Sequence, residues 1–113
     1  MYKYKLRPGY GSEKFLIDFF YGAENDNFIS GLLSTIKELQ PEIITISDVW
    51  VNDEILMNMT STIGKFIISK DSLGFAFITA DDNQDCLLKI NTILENSINF
   101  EKVEADFEDY RLK

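Results

Sequence analysis

The chain has 113 residues, with 19 acidic against 11 basic side chains, a net charge of −8 and no histidine. Its length suits a single domain covering residues 1–113. The missing histidine removes every Ser-His-Asp and Cys-His arrangement and every histidine metal site.

Acidity of this size opposes nucleic acid and anionic membrane surfaces, where Lys and Arg are the working groups. It favours a basic protein partner, although solubility alone accounts for a charge of this size as well. The single Cys86 excludes an internal disulfide framework. No apolar run reaches the ~18–20 residues of a membrane span. The stretch Met1–Arg7 carries charge but no apolar core follows it, unlike a secretory signal. A soluble, cytoplasmic protein is therefore expected.

Residues 2–7 alternate Tyr2, Tyr4 and Leu6 with Lys3, Lys5 and Arg7, which predicts a strand. Pro8-Gly9-Tyr10-Gly11-Ser12 breaks it. That segment lacks the third glycine of a dinucleotide fingerprint and the Lys-Ser/Thr of a P-loop, so it reads as a turn. Residues 14–21 admit two readings. Ser12 could cap a short helix, while the aromatic and β-branched content suits a strand hairpinned with the first.

Asn25 or Asp26 can cap the next element, a helix with Phe28, Ile29, Leu32, Leu33, Ile36 and Leu39 at helical spacing. Pro41 ends it. Four strands are predicted over 43–51, 54–60, 65–70 and 74–80, as an antiparallel meander with polar and glycine turns. A second helix spans about 82–97, with Leu87, Ile90, Ile93, Leu94 and Ile98 as its apolar stripe. A closing strand covers 99–110. The expected fold is α+β: a mainly antiparallel sheet of about six to seven strands with two helices on one face.

Asp81, Asn83 and Asp85 match the first three ligand positions of a calcium loop. Cys86 then stands where the turn needs Gly, and Thr92 where a bidentate Glu belongs. The cluster is expected to serve the helix dipole instead. Cys86 borders the apolar stripe and reads as a buried structural thiol. Paired carboxylates could in principle do acid–base work, and converging Asp and Glu in a cleft would mark a carboxylate-based enzyme or metal binder. A 113-residue chain has little room for a substrate cleft, so no catalytic role, no metal and no cofactor is predicted.

The most pointed feature is the predicted last strand. There Glu104, Asp106 and Glu108 share a face with Lys102, about 7 Å apart at two residues per step. These carboxylates await a cationic partner unless Lys3, Lys5 and Arg7, spaced alike on the first strand, neutralise them across the sheet. Trp50, Asp53 and Glu54 at a hairpin end form a second candidate contact, with the Trp as anchor. In size, charge and lack of catalytic groups the chain resembles the immunity proteins of bacterial polymorphic-toxin and contact-dependent growth inhibition systems. The resemblance implies an inhibitor that blocks a basic, nuclease-type toxin. The alternative is a general interaction domain, homodimeric through an open sheet edge or through a face bearing Ile43, Thr45, Val49 and Val51.

Overall fold

The computed structural model describes residues 2–49 and 53–110, the side chain of Val49 excepted. The chain folds as an α+β sandwich: one seven-stranded, mostly antiparallel sheet with two helices on one face. The strands are β1 (Tyr2–Pro8), β2 (Phe15–Tyr21), β3 (Glu42–Val49), β4 (Glu54–Ser61), β5 (Gly64–Asp71), β6 (Ala76–Thr79) and β7 (Phe100–Lys102). The helices are α1 (Phe28–Thr35) and α2 (Gln84–Glu95). Across the sheet the order is β3-β4-β5-β6-β2-β1-β7. The segment 14–21 is thus a strand, paired antiparallel with β1. Among the described residues, only β1 and β7 run parallel.

Alternation along each strand sorts the side chains into two faces. Tyr4, Ile17, Phe19, Met57, Met59, Phe66, Ile68, Ala76 and Ile78 point to the helix side and are buried there. Leu32 and Ile36 from the first helical segment, and Leu87, Ile90 and Leu94 from α2, close that layer. Tyr2, Phe19, Phe28 and Phe100 pack as an aromatic cluster that ties β1, β2, α1 and β7 together, with ring centroids 5.0–5.9 Å apart.

The first helix is shorter than its apolar spacing predicts. Its α-helical part stops at Thr35, and Lys37–Leu39 tightens into a 3-10 turn. Gln40 then takes a left-handed φ of 51°, and Pro41 cannot continue the ladder. The tighter turn brings Leu39 into the core, while the Leu39 carbonyl accepts the Thr62 N–H at 2.8 Å. The N-cap residue is Asn27, without a side-chain capping bond. Asn25, one of the two expected caps, instead turns its Oδ1 to the Asn27 N–H at 2.9 Å.

The start of α2 is held by side chains from elsewhere in the chain. Asn83 Nδ2 donates to the carbonyls of Ile63 (3.0 Å) and Lys65 (3.4 Å), in and beside the β4–β5 turn. Gln84 exchanges hydrogen bonds with the N–H and carbonyl of Phe15. Gly64 lies under Asn83 with φ of 111°, so a Cβ there would meet both backbone strain and the Asn83 amide.

The closing strand differs most from its sequence expectation. β7 covers only Phe100–Lys102, and its last tie to β1 is the Val103 N–H on the Tyr4 carbonyl at 2.8 Å. Residues 103–106 are irregular and Phe107–Tyr110 is a 3-10 turn. An extended chain would put Phe107 and Tyr110 on opposite faces. A three-residue repeat brings them to one side, where Phe107 meets Phe15 and Tyr110 meets Tyr10. The turn also breaks up a row of like charges.

Tyr4 is fully buried, and its hydroxyl reaches the Asn91 carbonyl at 3.4 Å. Burial, and secondarily the charge of Glu95, pushes its pKa far above the usual phenol range. A phenol raised in this way favours the folded state below its unfolded pKa of about 10 and loses that contribution as pH climbs towards the folded value. Stability is expected to fall as pH rises above about 10, and Tyr4→Phe to remove part of the fall. Urea midpoints measured from pH 8 to 11 check this; identical alkaline profiles for the two proteins would refute it.

Candidate functional site

β1 and β7 are neighbours, yet the basic row of β1 does not meet Glu104, Asp106 and Glu108. Lys3 pairs with Glu101 at 3.7 Å. Lys5 lies over the Phe20 ring, and Arg7 pairs with Asp18 of β2. The three acids fall in the segment after β7 and are exposed, but they do not form a strand face. Glu104 makes no ion pair with a described residue. Asp106 uses Oδ1 to accept the Glu108 N–H at 3.0 Å, and its carbonyl accepts the Asp109 N–H.

Asp53 and Glu54 lie at the opposite margin of the sheet, at the end of the β3–β4 hairpin. Asp53 has φ of 51° and accepts a hydrogen bond from the Ser72 hydroxyl. Glu54 opens β4 directly across from Asp71 of β5, a like-charge pairing. Asp71 Oδ1 accepts the N–H groups of Leu73 and Phe75, which shapes the β5–β6 loop. Trp50 lies outside the described residues. Five strand spacings separate β4 from β7, roughly 24 Å at ~4.8 Å each. The five described candidates, Asp53 and Glu54 on one side and Glu104, Asp106 and Glu108 on the other, are therefore not brought together.

The outer edge itself is unusual. β3 closes the sheet, and residues 42–48 are all exposed. Ile43 opposes Met59 and Ile46 opposes Met57, so both turn to the helix side, beyond the cover that the helices provide. With Ile55 they leave an apolar strip, 46%, 60% and 44% exposed. A bulge at Ile44 shifts the register between Ile43 and Thr45 and puts Ile43 on that side, away from Thr45. The expected face of Ile43 and Thr45 together does not form. From residue 38 to 64 the chain has five acids (Glu38, Glu42, Asp48, Asp53 and Glu54) and no Lys or Arg. That gap in the bases was the signal in the sequence for this edge.

Across the sheet from the helices lies an open face. A groove of about 790 Å³ crosses it, lined by Thr45, Asn58, Lys65, Ile67, Thr79 and Asn83 among others. Within its lining, Asn58 Nδ2 donates to Thr45 Oγ1 at 2.8 Å. At the far end Arg7 is 7% exposed, its Nε–H donating to Asp18 Oδ2 at 2.9 Å. Tyr110, Tyr10 and Phe77 surround the guanidinium with centroids at 4.6, 5.3 and 5.8 Å.

The other chemistry-bearing residues have structural occupations. Cys86 is fully buried. Burial pushes its thiol pKa up, partly offset by a contact with Ser61 Oγ at 3.9 Å. Asp82 pairs with Lys14 at 3.9 Å, and the Asp81 carbonyl accepts from the same ammonium at 2.7 Å. Asp85, alone of the three aspartates, lies in the first turn of α2. Among the described residues, no group of three His, Cys, Asp or Glu side chains could hold a metal ion. No described helix is long and apolar enough to cross a membrane.

No protein-family model, no curated protein and no solved structure matches the chain.

Proposed function

We propose that the chain is a non-enzymatic acidic binding domain for a basic protein and, at its narrowest, a cytoplasmic immunity-type inhibitor that blocks a nuclease-type toxin. The observation that carries this reading is the base-free segment 38–64, whose β3–β4 hairpin forms an exposed margin of the sheet. Carboxylates there, and those at 104–108, attract a cationic protein over about one Debye length, ~8–10 Å, and speed its capture. Against a nuclease they would occupy ground shaped for phosphates. The exposed isoleucines favour a homodimeric adaptor as the second reading, while a charge of −8 on each copy opposes it.

Two charge-reversed proteins test the reading. One carries Glu42→Lys, Asp48→Lys and Glu54→Lys; the other carries Glu104→Lys, Asp106→Lys and Glu108→Lys. The expected result is a cationic protein retained from source-cell extract by the wild type. At least one variant then captures it at least ~10-fold more slowly, with a flatter salt dependence. If that protein is a nuclease, its activity falls on addition of the wild type. Capture that is indifferent to both reversals and to salt rules the electrostatic mechanism out.

A further inference from the structure

The two margins of the sheet are finished differently. β7 offers three residues and is followed at once by the turn that packs Phe107 and Tyr110 back on the fold. It is short. β3 offers eight residues and, among the described residues, pairs on one side only. An edge strand directs the N–H and C=O groups of alternate residues outward, where they are ready to pair with another chain. Proteins blunt such edges with Lys, Pro, bulges or short strands. β3 has no Lys and no Pro within it. Its bulge lies at Ile44, so Thr45 to Val49 runs in unbroken register against Asn58 to Glu54. That stretch is flanked by Ile44 and carries Ile46, 50% and 60% exposed.

Resting on the reading of this chain as a binder of basic proteins, we propose that β3 takes up an extended segment of the partner, with apolar residues alternating with Lys or Arg, as an eighth strand along Thr45–Val49. Main-chain pairing supplies the attachment and the alternating side chains select the segment. Apolar residues of that segment extend the Ile43, Ile46 and Ile55 strip, and its cations, on the opposite face, meet Glu42 and Glu54. Charge decides against a second copy as occupant. Two antiparallel β3 strands would bring the base-free 38–64 segments of two molecules, each of charge −8, against one another.

A nine-residue peptide alternating lysine and valine, blocked at both ends, is the probe. Two companions go with it: one with N-methyl groups on two adjacent central amides, which takes a donor from each edge, and one with glutamate in place of lysine. Fluorescence anisotropy measures binding, and amide exchange of the wild-type protein reads the edge. The expected result is binding of the lysine peptide at least tenfold tighter than either companion, with slower exchange of alternate amides between Thr45 and Val49. Equal binding of the methylated peptide, without added protection, overturns strand addition and leaves electrostatic capture standing. Equal binding of the glutamate peptide overturns strand addition and the electrostatic reading together. A dimer in sedimentation that Ile46→Lys dissolves would make the occupant a second copy and overturn the choice of partner.

Discussion

Arg7→Met is expected to cost about 3–5 kcal/mol of folding stability, the range for removing one member of a buried ion pair. Arg7 is 7% exposed and the Asp18 side chain 15% exposed. Asp18 Oδ2 has the guanidinium at 2.9 Å, and its Oδ1 has no hydrogen-bond partner among the described residues. Methionine fills similar space but leaves a carboxylate in a shielded position without its guanidinium partner. The rings of Tyr10, Tyr110 and Phe77 that frame the guanidinium lose their cation as well. Adding Asp18→Leu to the same protein should recover most of the loss, because apolar packing replaces the pair as a whole. Urea denaturation of the single and double variants measures both effects. A single variant within about 0.5 kcal/mol of wild type would mean that solvent reaches the pair after all. The bond from the Gly11 N–H to the Tyr110 carbonyl, 2.8 Å, gives a local readout, since its exchange protection should fall with Arg7.

Phe19→Ala is the second large effect, also about 3–5 kcal/mol. Phe19 is fully buried at the centre of the helix-side layer. Its ring lies 5.0 Å from that of Phe28, 5.9 Å from Phe100 and 6.0 Å from Tyr4. Truncation leaves a cavity bounded by β1, β7 and the first turn of α1, and no backbone ladder ties α1 to those strands to close it. The exposed Leu73, at 80%, supplies the control: Leu73→Ala should stay within about 0.5 kcal/mol. Comparable losses for the two substitutions, measured by thermal and urea unfolding, would contradict this account of the core.

Strand alternation at 2–7, the helical spacing from Phe28 onward and the hairpin turns at 61–64 and 70–74 were legible because each is a local pattern. So was the burial of Cys86, which follows from its place beside the α2 stripe. The extent of the last strand was not. Its alternation of Val103, Ala105 and Phe107 with acids looks like a strand, but the Phe107 and Tyr110 pair three residues apart carries the competing signal. Aromatic partners at Phe15 and Tyr10, distant in sequence, decided between the two. The fate of Lys3, Lys5 and Arg7 was equally non-local. The nearest acids in space are Glu101 and Asp18, and only the strand order reveals that. Residue identity likewise did not distinguish the exposed isoleucines at 43, 46 and 55 from buried ones.

By itself the amino-acid order determined the class of fold, the faces of its strands and the charge of its surface, since these depend on periodicity and composition. Tertiary structure alone decided that β1 separates β2 from β7, that the acids at 104–108 and at 53–54 lie on opposite margins, and that β3 is left unpaired on its outer side. Those outcomes depend on which strands find each other across long stretches of chain. That choice is made by burying the most aromatic and aliphatic surface at once, and no short stretch of residues encodes it.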